Sequence, residues 1–172
     1  DGSSMCGTDK EFMCSKGVDR IALFGSSMGA AVALLAAARE ERVVAIATIA
    51  AVAYPELLEE RYPEVTTRWR KEGWLEFPGG VRIGLSFLED ALLHNVVAAV
   101  RVIRAPILVL HGTSDETVPV SDAHDIAAAA NNVSLNIVDG ADHRFSNIFH
   151  MRPAMHEIAE FIARKLRKVE IF

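Results

Sequence analysis

The sequence is poor in cysteine, in long hydrophobic runs and in the features of exported proteins. Its two cysteines among 172 residues are Cys6 and Cys14. Their spacing fits no metal motif, and we expect two free thiols in a reducing compartment rather than a disulfide. The longest nearly continuous apolar run, residues 43–54, is too short to span a bilayer. The opening residues have no signal-peptide pattern, so we expect a soluble, cytoplasmic protein with no membrane partner.

An excess of positive charge is also absent. The chain carries 18 Lys and Arg against 23 Asp and Glu, and therefore has no electrostatic reason to bind nucleic acid. Hydrophobic residues make up 51 %, which argues against disorder and for a single domain over residues 1–172. The zinc-protease pattern H-E-x-x-H is missing, because Glu160 stands where the second histidine would follow His156. We expect neither a metal nor an organic cofactor.

Strands and helices alternate along most of the chain. Buried apolar runs predict four strands, and amphipathic or alanine-rich runs predict the helices between them. The predicted strands are 20–24, 43–51, 106–111 and 133–138, and the predicted helices are 27–39, 121–130 with Ser121 as N-cap, and one opening at Pro153. This alternation indicates an α/β protein: a parallel sheet with helices on both faces.

Residues 54–104 interrupt the alternation. They contain short helical stretches, a proline-glycine turn at 77–81 and both tryptophans, and they are typical of a lid-like insertion over a site. Trp69, Trp74 and Phe77 are candidates for binding the acyl part of a substrate. Filling a small core within the insertion is an equally good interpretation of these aromatic side chains.

A five-residue motif, Gly25-Ser26-Ser27-Met28-Gly29, joins the first predicted strand to the first predicted helix. Strand, G-x-S-x-G, helix is the context in which this motif presents a serine nucleophile, here Ser27. We expect the tight turn to require both flanking glycines. Ser26 is off-centre, and a chance glycine-serine turn is the alternative interpretation. The backbone N–H of Met28, at a helix N-terminus, is a candidate oxyanion-hole donor.

A serine nucleophile needs a base and a group that orients the base. Because loops at the carboxyl ends of parallel strands meet, the partners should follow the third and fourth strands. Asp115 and His143 do so, in the order nucleophile, acid, base. The alternatives are a turn aspartate and a surface histidine. His111, which ends the third strand, is interpreted as a structural residue near the site.

Three segments carry a family resemblance: Gly25–Gly29, the H-G-x-x-D-x-x-V-P pattern within 106–119, and Gly140–Phe145. From about Asp19 onward, the chain resembles α/β-hydrolases of the small esterase/lipase and serine-peptidase-like group. The resemblance implies a serine carboxylesterase that hydrolyses short to medium acyl esters through an acyl-enzyme. A peptidase or thioesterase on the same triad stays open, as does a catalytically silent α/β-hydrolase fragment acting as an interaction module.

The chain departs from the family pattern before the nucleophile. Only 26 residues precede Ser27, where the family has several strands and a loop that supplies a second oxyanion donor. We therefore expect an N-terminally shortened chain, whether a natural short form, a fragment or a processed product. Without a preceding neighbour, strand 20–24 would become an apolar edge, and we expect a homodimer or higher oligomer.

Overall fold

The computed structural model describes residues 17–77 and 79–167, so the expectations for Cys6 and Cys14 lie outside the described residues. In chain order the elements are β1 (Ile21–Ser26), α1 (Met28–Ala37), β2 (Val43–Ile49), a 3₁₀ turn (Pro55–Leu57), α2 (Leu58–Arg61), α3 (Pro63–Glu72), β3 (Trp74–Phe77), β4 (Val81–Gly84), α4 (Leu85–Ala91), α5 (Val96–Val100), β5 (Ile107–Gly112), α6 (Val120–Ala129), β6 (Val133–Val138) and α7 (Ile148–Leu166).

The central sheet contains four parallel strands in the order β1-β2-β5-β6. The inner strands β2 and β5 are almost entirely buried, which is why both appear in the sequence as nearly unbroken apolar runs. The predicted parallel α/β sheet is confirmed, and each strand lies within two residues of its predicted range.

Helices cover both faces of the sheet. On one face α1, α5 and α6 pack against Ile46 and Val109, and on the other face α7 packs against Ala47 and Leu110. Helix α1 approaches the sheet closely because its buried side is largely alanine. None of the helices in the described ranges is long and apolar enough to cross a bilayer.

Strand β1 lies at one edge of the sheet formed by the described residues, with β2 as its neighbour. Phe24, on this strand, is 46 % exposed. An exposed apolar edge is the feature from which we expected association between copies, and that association stays a prediction.

Segment 54–104 contains an element that the sequence did not predict. Strands β3 and β4 form an antiparallel hairpin around the predicted turn, with Glu76 opposite Arg82. Each strand has only four residues, too few for an alternating pattern to stand out. Trp69, Leu75 and Leu88 form a small core inside the segment, and its role as a lid stays a prediction.

Two predicted helix starts are wrong. Helix α6 begins at Val120, and its N-cap is Pro119, two residues before the predicted cap at Ser121. Helix α7 begins at Ile148 because the side chain of Asn147 accepts a hydrogen bond from the backbone N–H of Phe149. Pro153 therefore lies inside α7, although proline usually marks a first turn.

Candidate active site

Ser27 occupies the tight turn between β1 and α1, and its backbone has a φ of 54°. This left-handed conformation is uncommon for a non-glycine residue and persists only where the surroundings hold it. The backbone N–H of Ser27 donates to Ile49 O at 2.9 Å, and Ala30 N donates to Ser27 O at 3.0 Å. The turn thus fixes the serine at the carboxyl edge of the sheet.

The two glycines that flank the turn differ in their steric need. A Cβ at Gly25 would clash with the backbone carbonyl of Gly29, so the close approach requires glycine at position 25. A Cβ at Gly29 would meet no described atom within 4 Å. The expectation that the turn needs both glycines is therefore wrong for Gly29.

The structure brings Ser27, His143 and Asp115 into one hydrogen-bonded chain. The distance from Ser27 Oγ to His143 Nε2 is 3.1 Å, and His143 Nδ1 lies 2.9 Å from Asp115 Oδ2 and 3.1 Å from Oδ1. A carboxylate only accepts hydrogen bonds, so its partners assign the proton to Nδ1. The lone pair of Nε2 then faces the serine hydroxyl.

The carboxylate of Asp115 is fixed from within its own loop. Its side chain is fully buried, and Oδ1 accepts backbone N–H groups from Thr117 at 2.9 Å and Val118 at 2.8 Å. These two bonds leave Oδ2 to face His143. The loop therefore holds the carboxylate with Oδ2 as the oxygen nearer to His143 Nδ1.

The loops after β5 and β6 are tied together, which holds Asp115 near His143. A Cβ at Gly112 would clash with the backbone carbonyl of Ala141, and Ser114 N donates to Ala141 O at 3.0 Å. The Thr113 hydroxyl donates to Asp139 at 3.0 Å and accepts from the backbone N–H of Gly140 at 2.8 Å. Glycine at position 112 is thus needed for close contact.

The loop that carries His143 is anchored on its far side. Phe145 has a φ of 52° and inserts a buried ring into the core beneath α7. Asp142 Oδ1 accepts the backbone N–H of Ser146 at 2.8 Å, and this bond is the main cause that lowers the pKa of Asp142 below 3.8. Both anchors limit how far the imidazole can move.

An ion pair that the sequence did not reveal lies beside this site. Asp122 is fully buried, accepts the backbone N–H of Ala53 at 2.9 Å, and binds both terminal nitrogens of Arg61 at 2.9 and 3.0 Å. The hydrogen bond to Asp122 is the main cause that raises the pKa of Arg61. Arg61 lies 61 residues from its partner, so no local pattern marks the pair.

A second contact joins the start of segment 54–104 to the loop that carries Asp115. The hydroxyl of Tyr62 donates to the carbonyl oxygen of Thr117, two residues beyond Asp115. Burial raises the pKa of Tyr62. Together with the Arg61–Asp122 pair, this bond fixes residues 61 and 62 against the loop that carries Asp115.

The three aromatic candidates for substrate binding lie within segment 54–104. Trp69 is buried and stacks on Phe87 with ring centroids 6.2 Å apart. The guanidinium of Arg82 lies 4.0 Å above the Trp74 ring, and Phe77 is 41 % exposed. Trp69 thus forms part of the small core of the segment, and a role for the three side chains in acyl binding stays a prediction.

A small apolar cavity of about 40 Å³ adjoins the nucleophile turn. It lies between α1 and α4, and its lining includes Met28, Val32, Leu35, Pro55, Phe87 and Ala91. Met28 is also the first residue of α1, so its backbone N–H has no partner within the helix. Residues 17–77 and 79–167 contain no group of three or more His, Cys, Asp or Glu side chains placed to hold a metal ion.

Comparison with known proteins shows the family to which the chain is similar. The prolyl oligopeptidase family matches residues 15–169. Similar solved structures include the esterase domain of a Rhodothermus marinus protein (25 % identity, TM-score 0.68), alpha/beta hydrolase domain-containing protein 10 from mouse (26 %, 0.64) and Est1E from Butyrivibrio proteoclasticus (22 %, 0.70). No curated protein sequence matches the chain.

Each alignment covers a larger share of this chain than of the solved chain with which it is compared. The three alignments cover 90 %, 84 % and 87 % of this chain, but only 65 %, 62 % and 62 % of the solved chains. The chain thus spans less than two thirds of the length of each of these structures. The family match nevertheless extends over nearly all of its residues, and the chain belongs to the prolyl oligopeptidase family, with an α/β-hydrolase fold.

Proposed function

We propose that the protein is a serine carboxylesterase that hydrolyses short to medium acyl esters. The observation that carries the proposal is the continuous contact from Ser27 Oγ through His143 to Asp115, with distances of 3.1 and 2.9 Å. The esterase domain from Rhodothermus marinus, 25 % identical, supports ester hydrolysis as the chemistry. The arrangement contains a nucleophile, a base and an orienting acid on three separate loops.

The first half of the proposed reaction forms an acyl-enzyme. Ser27 Oγ attacks the ester carbonyl carbon while His143 Nε2 takes the hydroxyl proton, and Asp115 stabilises the imidazolium that results. The carbonyl oxygen becomes an oxyanion, which the backbone N–H of Met28 stabilises. When the intermediate collapses, His143 returns the proton to the departing alcohol, and the acyl group remains on Ser27.

The second half regenerates the enzyme. His143 Nε2 takes a proton from a water molecule, whose oxygen attacks the acyl carbon. Collapse of the second tetrahedral intermediate gives the carboxylic acid, and His143 returns the proton to Ser27 Oγ. The protons and electrons balance within the ester, one water molecule and these side chains.

The cavity beside Met28 supports a preference for short acyl groups. The cavity is small, and its lining from α1 and α4 is mainly apolar. Phe87, on α4, and Val32, on α1, both line this cavity. We expect Phe87→Ala to shift the preference towards longer acyl chains and Val32→Phe to shift it towards acetate.

Hydrolysis of p-nitrophenyl acetate, butyrate and octanoate by the protein and by Ser27→Ala tests the proposal. We expect turnover to fall to background in Ser27→Ala, because this change removes the hydroxyl that contacts His143 Nε2. Ser26→Ala is the matched control, since Ser26 is adjacent but off the motif centre, and it should keep most of the activity. Equal rates in the wild type and Ser27→Ala would contradict the proposal.

A peptidase is the second candidate, because the matching family is that of prolyl oligopeptidase. The two activities share Ser27, His143 and Asp115 and differ in the leaving group. An ester and an anilide that carry the same acyl group separate them. Faster release of nitrophenol supports the esterase, whereas comparable cleavage of the anilide favours the peptidase.

A further inference from the structure

We propose that His111 is a positioning residue for Asp115, a role that rests on the proposed function of the triad. His111 ends β5, four residues before the triad acid, and its side chain is fully buried. Its Nε2 lies 3.0 Å from Val118 O and 3.1 Å from Asp115 Oδ2. The ring therefore contacts both ends of the loop that holds the acid.

The partners of the ring determine which of its nitrogens donates a hydrogen bond. The carbonyl oxygen of Val118 can only accept, so Nε2 carries the proton and donates it. The other nitrogen, Nδ1, is buried and has no hydrogen-bond partner among the described residues. His111 therefore acts in this position as a hydrogen-bond donor through Nε2.

This donor acts on the triad through the Asp115 loop. The bond to Val118 O closes the loop back onto the end of β5, and the backbone N–H of Val118 in turn binds Asp115 Oδ1. The positive end of the His111 N–H dipole also lies beside Oδ2, the oxygen that faces His143. Both effects resist rotation of the carboxylate away from the imidazole.

A substitution series at position 111 tests the assignment. His111→Gln keeps an N–H donor at a similar distance from the backbone, His111→Asn has the same amide on a shorter arm, and His111→Leu removes the donor. We expect kcat for p-nitrophenyl acetate to fall on the order of 10–100-fold in Leu and Asn, the loss typical when an outer partner of an active-site group is removed. His111→Gln should keep most of the wild-type kcat, and KM should change by less than about threefold in all three variants.

A double mutant separates positioning from a general structural role. If His111 acts through the carboxylate, His111→Leu should cost much less in an Asp115→Asn background than in the wild type. An equal loss in both backgrounds would overturn the proposal, as would a Gln variant no better than Asn. If the Leu variant does not fold, His111→Gln and His111→Asn are compared instead, each in the wild-type and in the Asp115→Asn background. The difference in kcat between these two variants should then be much smaller in the Asp115→Asn background, and an equal difference in both backgrounds would overturn the proposal.

A readout independent of the substrate keeps this inference distinct from the esterase proposal. The rate at which a fluorophosphonate modifies Ser27 depends on activation by His143, whatever ester or amide the protein hydrolyses. We expect the order wild type, Gln, then Asn and Leu in this rate. If this order is found but no ester is hydrolysed, the role of His111 is supported and the esterase proposal is contradicted. Equal modification rates in all four proteins would overturn the role of His111.

Discussion

Two buried carboxylates in the connection after β5, Asp115 and Asp122, have different partners. Asp115 accepts two backbone N–H groups and faces the imidazole of His143. Asp122 accepts one backbone N–H group and the guanidinium of Arg61. The first carboxylate lies at the candidate active site, and the second joins α6 to the start of segment 54–104.

The comparison shows that the side chain which donates to a buried carboxylate determines whether the pair can take part in proton transfer. Burying a carboxylate requires compensating hydrogen bonds, and both sites supply them. An imidazole can both accept and donate a proton, so Asp115 is placed to orient the base of the proposed reaction. A guanidinium keeps its proton in proteins, so the Arg61–Asp122 pair can hold two segments together but cannot transfer a proton.

The largest effect on activity is expected from Asp115→Asn. The amide keeps an oxygen for the Thr117 and Val118 N–H groups but presents N–H to His143, which favours the wrong tautomer. We expect kcat to fall by about four orders of magnitude, the size seen for this exchange in a serine protease triad. Ester hydrolysis and thermal unfolding measured together check this prediction. A loss below tenfold would show that Asp115 is not the acid of the site.

The counterpart, Asp122→Asn, should act on stability instead. Losing one partner of a buried ion pair leaves Arg61 without its countercharge, and we expect the free energy of unfolding to fall by about 3 kcal/mol. The activity of the folded fraction should stay within tenfold. Urea unfolding measures the first quantity, and Asp125→Asn, on the same helix, is the matched control. If Asp122→Asn instead loses activity tenfold or more and keeps the wild-type free energy of unfolding, the prediction that Asp122 acts on stability is contradicted.

A smaller effect is expected where Tyr62 joins the two regions. Tyr62→Phe removes the bond to Thr117 O and should lower the free energy of unfolding by about 1 kcal/mol. Because burial raises the pKa of Tyr62 above 10.0, the folded protein keeps a proton that the unfolded chain loses. Stability should therefore fall as the pH rises above 10, and less steeply in Tyr62→Phe. If urea unfolding shows that the free energy of unfolding falls with pH above 10 as steeply in Tyr62→Phe as in the wild type, Tyr62 is not the cause of the fall.

The smallest effect is expected at Asp142, on the loop that carries His143. The N–H of Ser146 holds the pKa of Asp142 below 3.8, so the unfolded chain takes up a proton at a higher pH than the folded protein. This contribution to stability is complete well above pH 3.8 and is lost as the pH falls below it. In Asp142→Asn, stability should therefore decrease less steeply as the pH falls, as measured by thermal unfolding in buffers of decreasing pH. A decrease as steep as in the wild type would contradict the prediction.

The sheet and the placement of Ser27, Asp115 and His143 could be predicted because their signals are local. Buried parallel strands appear as apolar runs, and parallel topology puts the loops that follow them at one edge. Contacts between distant segments gave no such signal. Arg61 and Asp122 are 61 residues apart and meet only after folding, so no local pattern marks the pair.

Segment 54–104 was predicted less well for a related reason. Its four-residue strands β3 and β4 are too short for periodicity, and the hairpin is stabilised by pairing and by packing on Trp69. The start of α7 was also missed, because Pro153 is a stronger sequence signal than the cap at Asn147 that begins the helix. In each case a tertiary or capping interaction outweighs the local preference.

The most direct test of the coupling between Ser27 and His143 is the site of modification by a fluorophosphonate, read by intact mass and peptide mapping. We predict one phosphonyl group per chain, on Ser27, and no modification of His143→Ala in the same time. No modification of the folded wild type, or modification at a residue other than Ser27, would contradict the proposed serine hydrolase.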